Sequence, residues 1–398
     1  GNAGLYNNVA NVGKTVADVA KNTVTVCATQ NLGTNNGINY VADFSGRGPT
    51  TDGRIKPDVC VPGQWVASAQ KTFNRACTSI LNSGTSMSAP GATGAALIVR
   101  QYFTEGWYPT GFPNTSDSFT PSGALLKAVI INGAKALLGV DNTLNGLGVT
   151  ASEPYDVAQG FGRVSLIDSL FLNGRNSIEI HVVDRESLSN NNPSFEVAFQ
   201  MSTTTTFSTT LVWTDFEGAI GCTDSCLVNK LQLTLGRDGQ VFYPNGLKNA
   251  PDEKNNVQRI RISAKKCELI KVRVQVATDI GGLVTTSQEF SLISSAIGLK
   301  TEEDMLACST LLPSSEASSS LPPSPRRVPS SIFPTHLPTV SILPSSSRTL
   351  HSKCKSSIKK SPKSRYSNKR SKKNNIATDC KSFKIKSSAA IKTEYPTT

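Results

Sequence analysis

Short apolar runs alternate with Gly-, Pro- and Asn-rich stretches from Gly1 to about Phe171. "NTVTVCAT" at residues 22–29 is a β-branched run suited to a buried parallel strand. "AALIVRQYF" at 95–103 and "SGALLKAVIINGAKALL" at 122–138 have the spacing and length of helices. The connections, such as "FSGRGPTTDGRIKPDVCVPG" at 44–63, are long, as in an enzyme body rather than a helical scaffold. From about Arg175 to Ile297 the apolar period falls to two. Ile178, Ile180 and Val182 share one face of a strand, as do Phe195, Val197, Phe199 and Met201, and Ile270, Val272, Val274 and Val276. "TTLVWTD", "LQLTL", "QVFY", "VQRIRIS" and "EFSLISS" add further short strands, and "GRDGQ" at 236–240 is a hairpin turn. About eight short strands with intervening turns predict a β-sandwich or jelly roll. The expected organisation is an α/β part over residues 1–172, an all-β part over 173–299 and a tail over 300–398.

Composition separates the tail from the rest. Residues 301–398 hold 17 Lys and Arg against 6 Asp and Glu, whereas residues 1–300 hold 24 against 23. The pI of about 9.3 therefore belongs to the tail. "PSSEASSSLPPSPRRVPSS" and "KSSIKKSPKSRYSNKRSKKNN" have too few apolar residues and too much like charge to offset ordering entropy, so disorder is expected there. The Lys clusters have no folded module or regular aromatic interleaving that would argue for nucleic-acid recognition.

Nine cysteines in 398 residues are too few for a disulfide scaffold. Cys222 and Cys226, four apart in "GCTDSCLVN", either form a bridge across a turn or remain two loop thiols. Cys27, Cys60 and Cys77 read as small core residues, and no spacing suggests a zinc site. The chain starts on "GNAGLYNN", without initiator Met or leader pattern, as in a processed or incomplete chain. No run of roughly 18 apolar residues suggests a membrane span.

The chemistry is concentrated in "LNSGTSMSAPGATGAALIVRQYF", residues 81–103. A serine hydroxyl attacks carbonyls only when a base takes its proton and fixed donors receive the oxyanion. Gly84 permits a tight turn, Ser86 falls where a helix begins, and that helix end offers unpaired N–H groups and the positive end of its dipole. Ser86 is the candidate nucleophile. The small residues Gly91, Ala92, Gly94, Ala95 and Ala96 predict a helix that packs closely and is buried, with Pro90 in its first turns where a missing N–H costs least.

Together, "FSGRGPTTDGRIKPDVCVPG" and "LNSGTSMSAPGATGAAL" resemble the subtilisin-like serine proteases, the subtilases. The family pattern is GTSMA-x-P after an FSSRGP-x-x-DGR-x-KPD-x-x-APG loop. The resemblance implies the C-terminal part of a parallel sheet with helices on both faces. It also implies that "GNAG" matches the family's A-A-G-N-x-G motif, so that Asn2 stabilises the oxyanion together with the Ser86 N–H. The family's catalytic Asp and His precede that motif, which implies a chain that begins midway through the protease domain. His181 alternates with Ile180 and Val182 and is expected to face outward, while His336 and His351 fall in the tail; none resembles the family's H-G-T-H context. Asp43, Asp52 and Asp58 lie outside any D-x-G motif and read as turn and cap residues, and Arg47, Arg54 and Lys56 as salt-bridge and turn residues. Gly46, Cys60, Val61 and Ser88 are small departures from the family pattern.

"VRQYFTEGWYPTG", "PSGALLKAVIINGA", "GFGRVSL" and "LVWTD…LVNKLQLTL…NNVQRIRI" resemble those subtilases that carry a C-terminal β-sandwich, with coverage from Gly1 to about Leu299. Such relatives often have Asp where this chain has Lys230 and Gln232, which argues against a calcium site built on those carboxylates. The resemblance implies a serine endopeptidase acting on protein or peptide substrates outside the cell, with no cofactor needed for the chemistry. The polypeptide as written would be nearly inactive for want of Asp and His. The alternative is a non-catalytic relative whose β-sandwich binds partners. "NTS" at 114–116 is a glycosylation sequon, which matters only in a secreted protein.

Overall fold

The β-branched run forms β1 (Val26–Thr29) in a computed structural model that describes residues 1–4, 19–31, 37–71, 78–140, 155, 157–278 and 281–301. All of these lie in one unit, residues 1–309. β1 pairs in parallel with β3 (Val59–Pro62) and antiparallel with β2 (Tyr40–Val41), which pairs in parallel with β6 (Gly139–Val140). The sheet is thus mixed, not parallel as the resemblance implied. The stretch 30–39 between β1 and β2 is too short for a parallel crossover of a dozen or more residues, so the chain turns back. β4 (Val66–Gln70) and β5 (Thr78–Asn82) make a separate two-stranded ribbon.

Cys27 and Cys60, expected to be separate core thiols, are register partners on β1 and β3 and form a disulfide with Cα atoms 4.3 Å apart. Both are fully buried, so they serve the core as well. The pairing depends on strand register, which two isolated runs do not reveal. Cys222 and Cys226 are bridged, with Cα atoms 5.8 Å apart, and Cys267 is also disulfide-bonded. Cys77 lies outside the described residues.

Helix α1 (Thr85–Thr104) packs on β1 and β3. It buries Ser88, Ala92, Val99, Tyr102 and Phe103, the last three in a cluster shared with α2. It is less enclosed than its small residues predict. Leu97 and Ile98 are 61% and 51% exposed, because the described elements cover one side of the helix. Helix α2 (Gly123–Asn132) starts where the Ser122 hydroxyl accepts the Leu125 N–H at 2.9 Å. It stops at Asn132, short of the predicted 138, with Gly133 as its C-cap. α2 is buried on all sides and packs against α1 and against strands later in the chain. Among the described residues this is a mixed α/β arrangement with β-rich parts, not a sheet flanked by helices on both faces.

The period-two region forms β7 (Ile178–Ser189), β8 (Ser194–Met201), β9 (Thr205–Val212), β10 (Leu231–Arg237), β11 (Gln240–Phe242), β12 (Val257–Ala264), β13 (Leu269–Val276), β14 (Ser287–Ile297) and β15 (Leu299–Thr301). They build two sheets, in the orders β11-β10-β13-β8-β15 and β12-β9-β14-β7. The β10–β11 hairpin turns at Asp238 and Gly239, both with positive φ, as a two-residue primed turn requires. Lys300 and Thr301 continue β15 alongside β8. Residues 302–398, with the expected disorder and His336 and His351, lie outside the described residues.

The sheet β12-β9-β14-β7 is buried on both faces. Leu188, Phe207, Leu211, Phe290 and Leu292 meet the other sheet, including Phe199, Val272 and Val274. Val212, Val257 and Ile293 face the helices, joined by Ile180 and Val182. Alternation predicts His181 facing outward, with Ile180 and Val182 facing the other sheet. The assignment is reversed: His181 turns inward, its ring edge-on to Phe199 with centroids 5.3 Å apart. A strand with two buried faces carries apolar residues on both, and alternation cannot tell which face meets which neighbour.

Where β3 begins, a buried ionic cluster ties α2 to the first sheet. Asp58 accepts hydrogen bonds from Thr25 N–H at 2.7 Å and Lys56 Nζ at 2.6 Å and lies 3.1 Å from Lys127 Nζ on α2. Lys127 also donates to the carbonyls of Lys21 and Thr23. Asp58 is therefore an ionic anchor, not a turn or cap residue. Burial pushes its pKa up, but Lys127, Lys56 and the Thr25 N–H outweigh that and hold it below the usual carboxylate range. Burial and neighbouring Lys56 push Lys127 down to about 8, against the opposing pull of Asp58.

A lowered carboxylate pKa stabilises the fold above the unfolded value of 3.8, and that contribution is lost as pH falls through the folded value. Lys127 behaves oppositely: its buried charge costs stability below about pH 8, and the cost is relieved as pH rises toward the unfolded lysine value. Asp58→Asn should destabilise by about 3–5 kcal/mol in urea unfolding at pH 7, because two ammonium groups lose their counter-charge. The difference from wild type should shrink below pH 4. A loss below about 1 kcal/mol at pH 7 would contradict this role for the cluster.

Candidate active site

The site begins with the turn into α1. Gly84 has φ 154°, a conformation that L side chains rarely adopt, and its N–H donates to the Gly63 carbonyl at 2.8 Å. The two glycines must approach closely: a Cβ on Gly63 would strike Ser88 Oγ and the Gly84 carbonyl. The turn leaves Ser86 as the second residue of α1, exposed to solvent. Pro90 supplies no N–H to the Ser86 carbonyl in the helical ladder.

Asn2 is brought to the same place by backbone bonds to the loop after β2. The Gly46 N–H donates to the Gly1 carbonyl at 2.7 Å, and the Gly4 N–H to the Phe44 carbonyl at 2.9 Å. The Asn2 Oδ1 accepts two hydrogen bonds from Thr85, from its N–H and its hydroxyl, both at 2.8 Å. With the oxygen pinned, Nδ2 faces Gly84, where an added Cβ would lie 3.0 Å from it. The two candidates separated by most of the subtilase-like sequence thus meet across one residue, Thr85. Sequence reasoning does not single out Thr85; its place before the candidate Ser86 in Gly-Thr-Ser is the signal that could have found it.

The other polar candidates are structural. Asp52 accepts from Thr50 Oγ1 and from Arg54 Nε at 2.6 Å. Burial raises the Asp52 pKa, but these bonds and the Arg54 charge bring it below the usual range. Lys56 pairs with Asp58, and Arg47 is buried. His181 sits against Phe199 in the two-sheet core and is held toward its neutral form by burial, whereas Ser86 opens the exposed end of α1. Gln232 accepts a hydrogen bond from Gln275, and among the described residues no group of three or more His, Cys, Asp or Glu side chains converges to hold a metal.

The model of the subtilase family matches residues 1–151, which include Asn2, the Asp58 loop and the Ser86 turn. Residues 1–151 are a subtilase-family domain. More than half of the chain is similar to serine protease/ABC transporter B family proteins of Dictyostelium discoideum. The chain is 32% identical to tagA over 249 residues, covering 55% of this chain and 13% of tagA. It is 30% identical to tagB over 284 residues, covering 57% of this chain and 15% of tagB. A C5a peptidase of Streptococcus pyogenes serotype M3 is 36% identical over 132 residues, 32% of this chain and 10% of the peptidase. The matched region therefore spans a small fraction of each relative. The Dictyostelium relatives are serine proteases by name and the streptococcal one a peptidase, and the subtilase family is one of serine peptidases.

Two substitutions beside Ser86 should move stability in opposite directions. Gly84→Ala should destabilise by at least about 1 kcal/mol, through its backbone conformation and contact with Asn2. Ser88 Oγ is buried without a hydrogen-bond partner among the described residues, so Ser88→Ala should stabilise by about 1 kcal/mol. Urea midpoints of the two variants check this, and equal signs would contradict the described turn.

Proposed function

We propose that the chain is the nucleophile-bearing part of a serine endopeptidase, with Ser86 attacking a peptide carbonyl. The Ser86 N–H and Asn2 Nδ2 receive the charge that develops on the carbonyl oxygen. An imidazole, oriented by a carboxylate and supplied from outside the described residues, takes the Ser86 proton and returns it to the leaving amine. The observation that carries this reading is the double hydrogen bond from Thr85 to Asn2 Oδ1, which leaves the amide donor on the side of the Ser86 turn. Bond cleavage in this scheme needs no cofactor.

The organisation we favour is a peptidase part over 1–172 and a β-sandwich over 173–299 continued by β15, with the basic tail from 302. The Cys27–Cys60 and Cys222–Cys226 bridges suit an oxidising compartment, which supports an extracellular or secretory-pathway location. No helix among the described residues is long and apolar enough to cross a membrane. The substrate class is protein or peptide. A non-catalytic role in binding is the second reading, favoured by the uncovered Leu97 and Ile98 on α1.

The test is labelling of the natural full-length protein with a fluorophosphonate, followed by peptide mapping. Label on the Ser86 peptide, its loss in Ser86→Ala, and a drop in kcat of about a hundredfold or more in Asn2→Leu are expected. Undiminished peptide hydrolysis in Ser86→Ala would overturn the assignment, and absence of both labelling and hydrolysis in wild type would favour the binding role.

A further inference from the structure

We propose that Asn114 is an acceptor for an N-linked oligosaccharide. It lies in the single Asn-X-Ser/Thr triplet of the 398 residues with X other than Pro, Asn114-Thr115-Ser116. The inference rests on the secretory part of the proposed function. Phe112, Pro113, Asn114, Thr115 and Ser116 form a continuous exposed run. The Asn114 Oδ1 accepts the Ser116 N–H at 3.2 Å, and Nδ2 donates to Asp117 Oδ2 at 2.8 Å. A primary amide nitrogen has two hydrogens, so one holds Asp117 and the other is replaceable.

In the transfer, Nδ2 attacks C1 of a lipid-pyrophosphate-linked oligosaccharide. The C1–N bond forms, the C1–O bond to the pyrophosphate breaks, and the lipid pyrophosphate leaves with the electron pair. One amide proton passes to a base of the transferase. The product is a secondary amide that keeps its second hydrogen for Asp117, so the turn at 114–117 survives modification.

The loop places the sugar where it does not obstruct the proposed chemistry. The Asn114 N–H donates to the Gly106 carbonyl at 3.0 Å, and Ser118 Oγ donates to the Thr104 carbonyl at 2.6 Å. Both anchors are at the C-terminal end of α1, whereas Ser86 is at its start. A helix of 20 residues is about 30 Å long, so the glycan projects from the end remote from the nucleophile. It would also stand beside Phe112, which is 54% exposed.

The test uses the chain produced behind a cleavable leader in eukaryotic cells, with a second sequon in an appended C-terminal tag as a control for lumenal entry. Wild type should carry two peptide-N-glycosidase-sensitive glycans, and Asn114→Gln and Ser116→Ala one each. Glycosidase treatment in ¹⁸O water should mark Asn114 itself. A glycosylated tag with bare Asn114 in the secreted wild-type chain would overturn the proposal. If Asn114 is modified in this chain but bare in the natural full-length protein, the extracellular reading fails and the acceptor assignment stands.

Discussion

The structure depends on how the two-sheet unit holds α2 at both ends. At the N-terminus, Asp184 of β7 accepts hydrogen bonds from the Ser122 N–H and hydroxyl at 2.9 and 2.6 Å. At the C-terminus, Arg259 of β12 donates to the carbonyls of Ile131 and Phe161, and Arg261 to those of Asn132 and Ala134. Negative charge at the first turn and positive charge at the last both complement the helix dipole. Asn132, the last helical residue, is locked as well: its Oδ1 accepts from Ser208 and Thr210 of β9, and its Nδ2 donates to Ser295 of β14. Arg259 is completely enclosed, and burial, aided by Arg261, lowers its pKa. Its hydrogen bonds and the Phe161 ring 4.9 Å away offset the cost of enclosing the charge.

The site is linked to this clamp through packing. α2 lies against α1, whose first turn carries Ser86, and Lys127 on α2 reaches Asp58 beside β3. β3 is followed by Gly63, which accepts from Gly84 at the turn into α1. A second tether runs from Lys21, which donates to Asp215 and to the Phe216 and Cys226 carbonyls, while Asn22 donates to the Asp215 carbonyl. Asn255 adds a third, accepting the Ile55 N–H at 2.8 Å. The Ser86 turn and the β-rich part thus belong to one mechanical body, and the subtilase segment completes its core with strands from beyond residue 151.

Much of this was legible where a single element decides the outcome. Ser86 at a helix start, the "GRDGQ" hairpin and the inward faces of β8 and β13 follow from local pattern alone. What was not legible depends on pairing between distant elements. The Cys27–Cys60 bridge needs the β1–β3 register, and the inward turn of His181 needs the knowledge that β7 has helices on one side and a sheet on the other. The Asp58 cluster draws one partner from α2, and the end of α2 is set by Arg259 and Arg261 from β12; no local signal in "ALLKAVIINGAKALL" marks it except Gly133. For the candidate site, motif resemblance points to Asn2 and Ser86, but the bonds from Thr85 that orient Asn2 join residues 83 apart, which no local pattern marks.

A helix clamped in this way opens only together with the two-sheet unit. Native-state hydrogen exchange across low denaturant concentrations measures this directly at the amides of residues 126–132, 208–212 and 291–295. All three sets should converge on one opening free energy and one denaturant dependence. Exchange of the α2 amides through a separate, lower-energy opening, with β9 and β14 still protected, would contradict it.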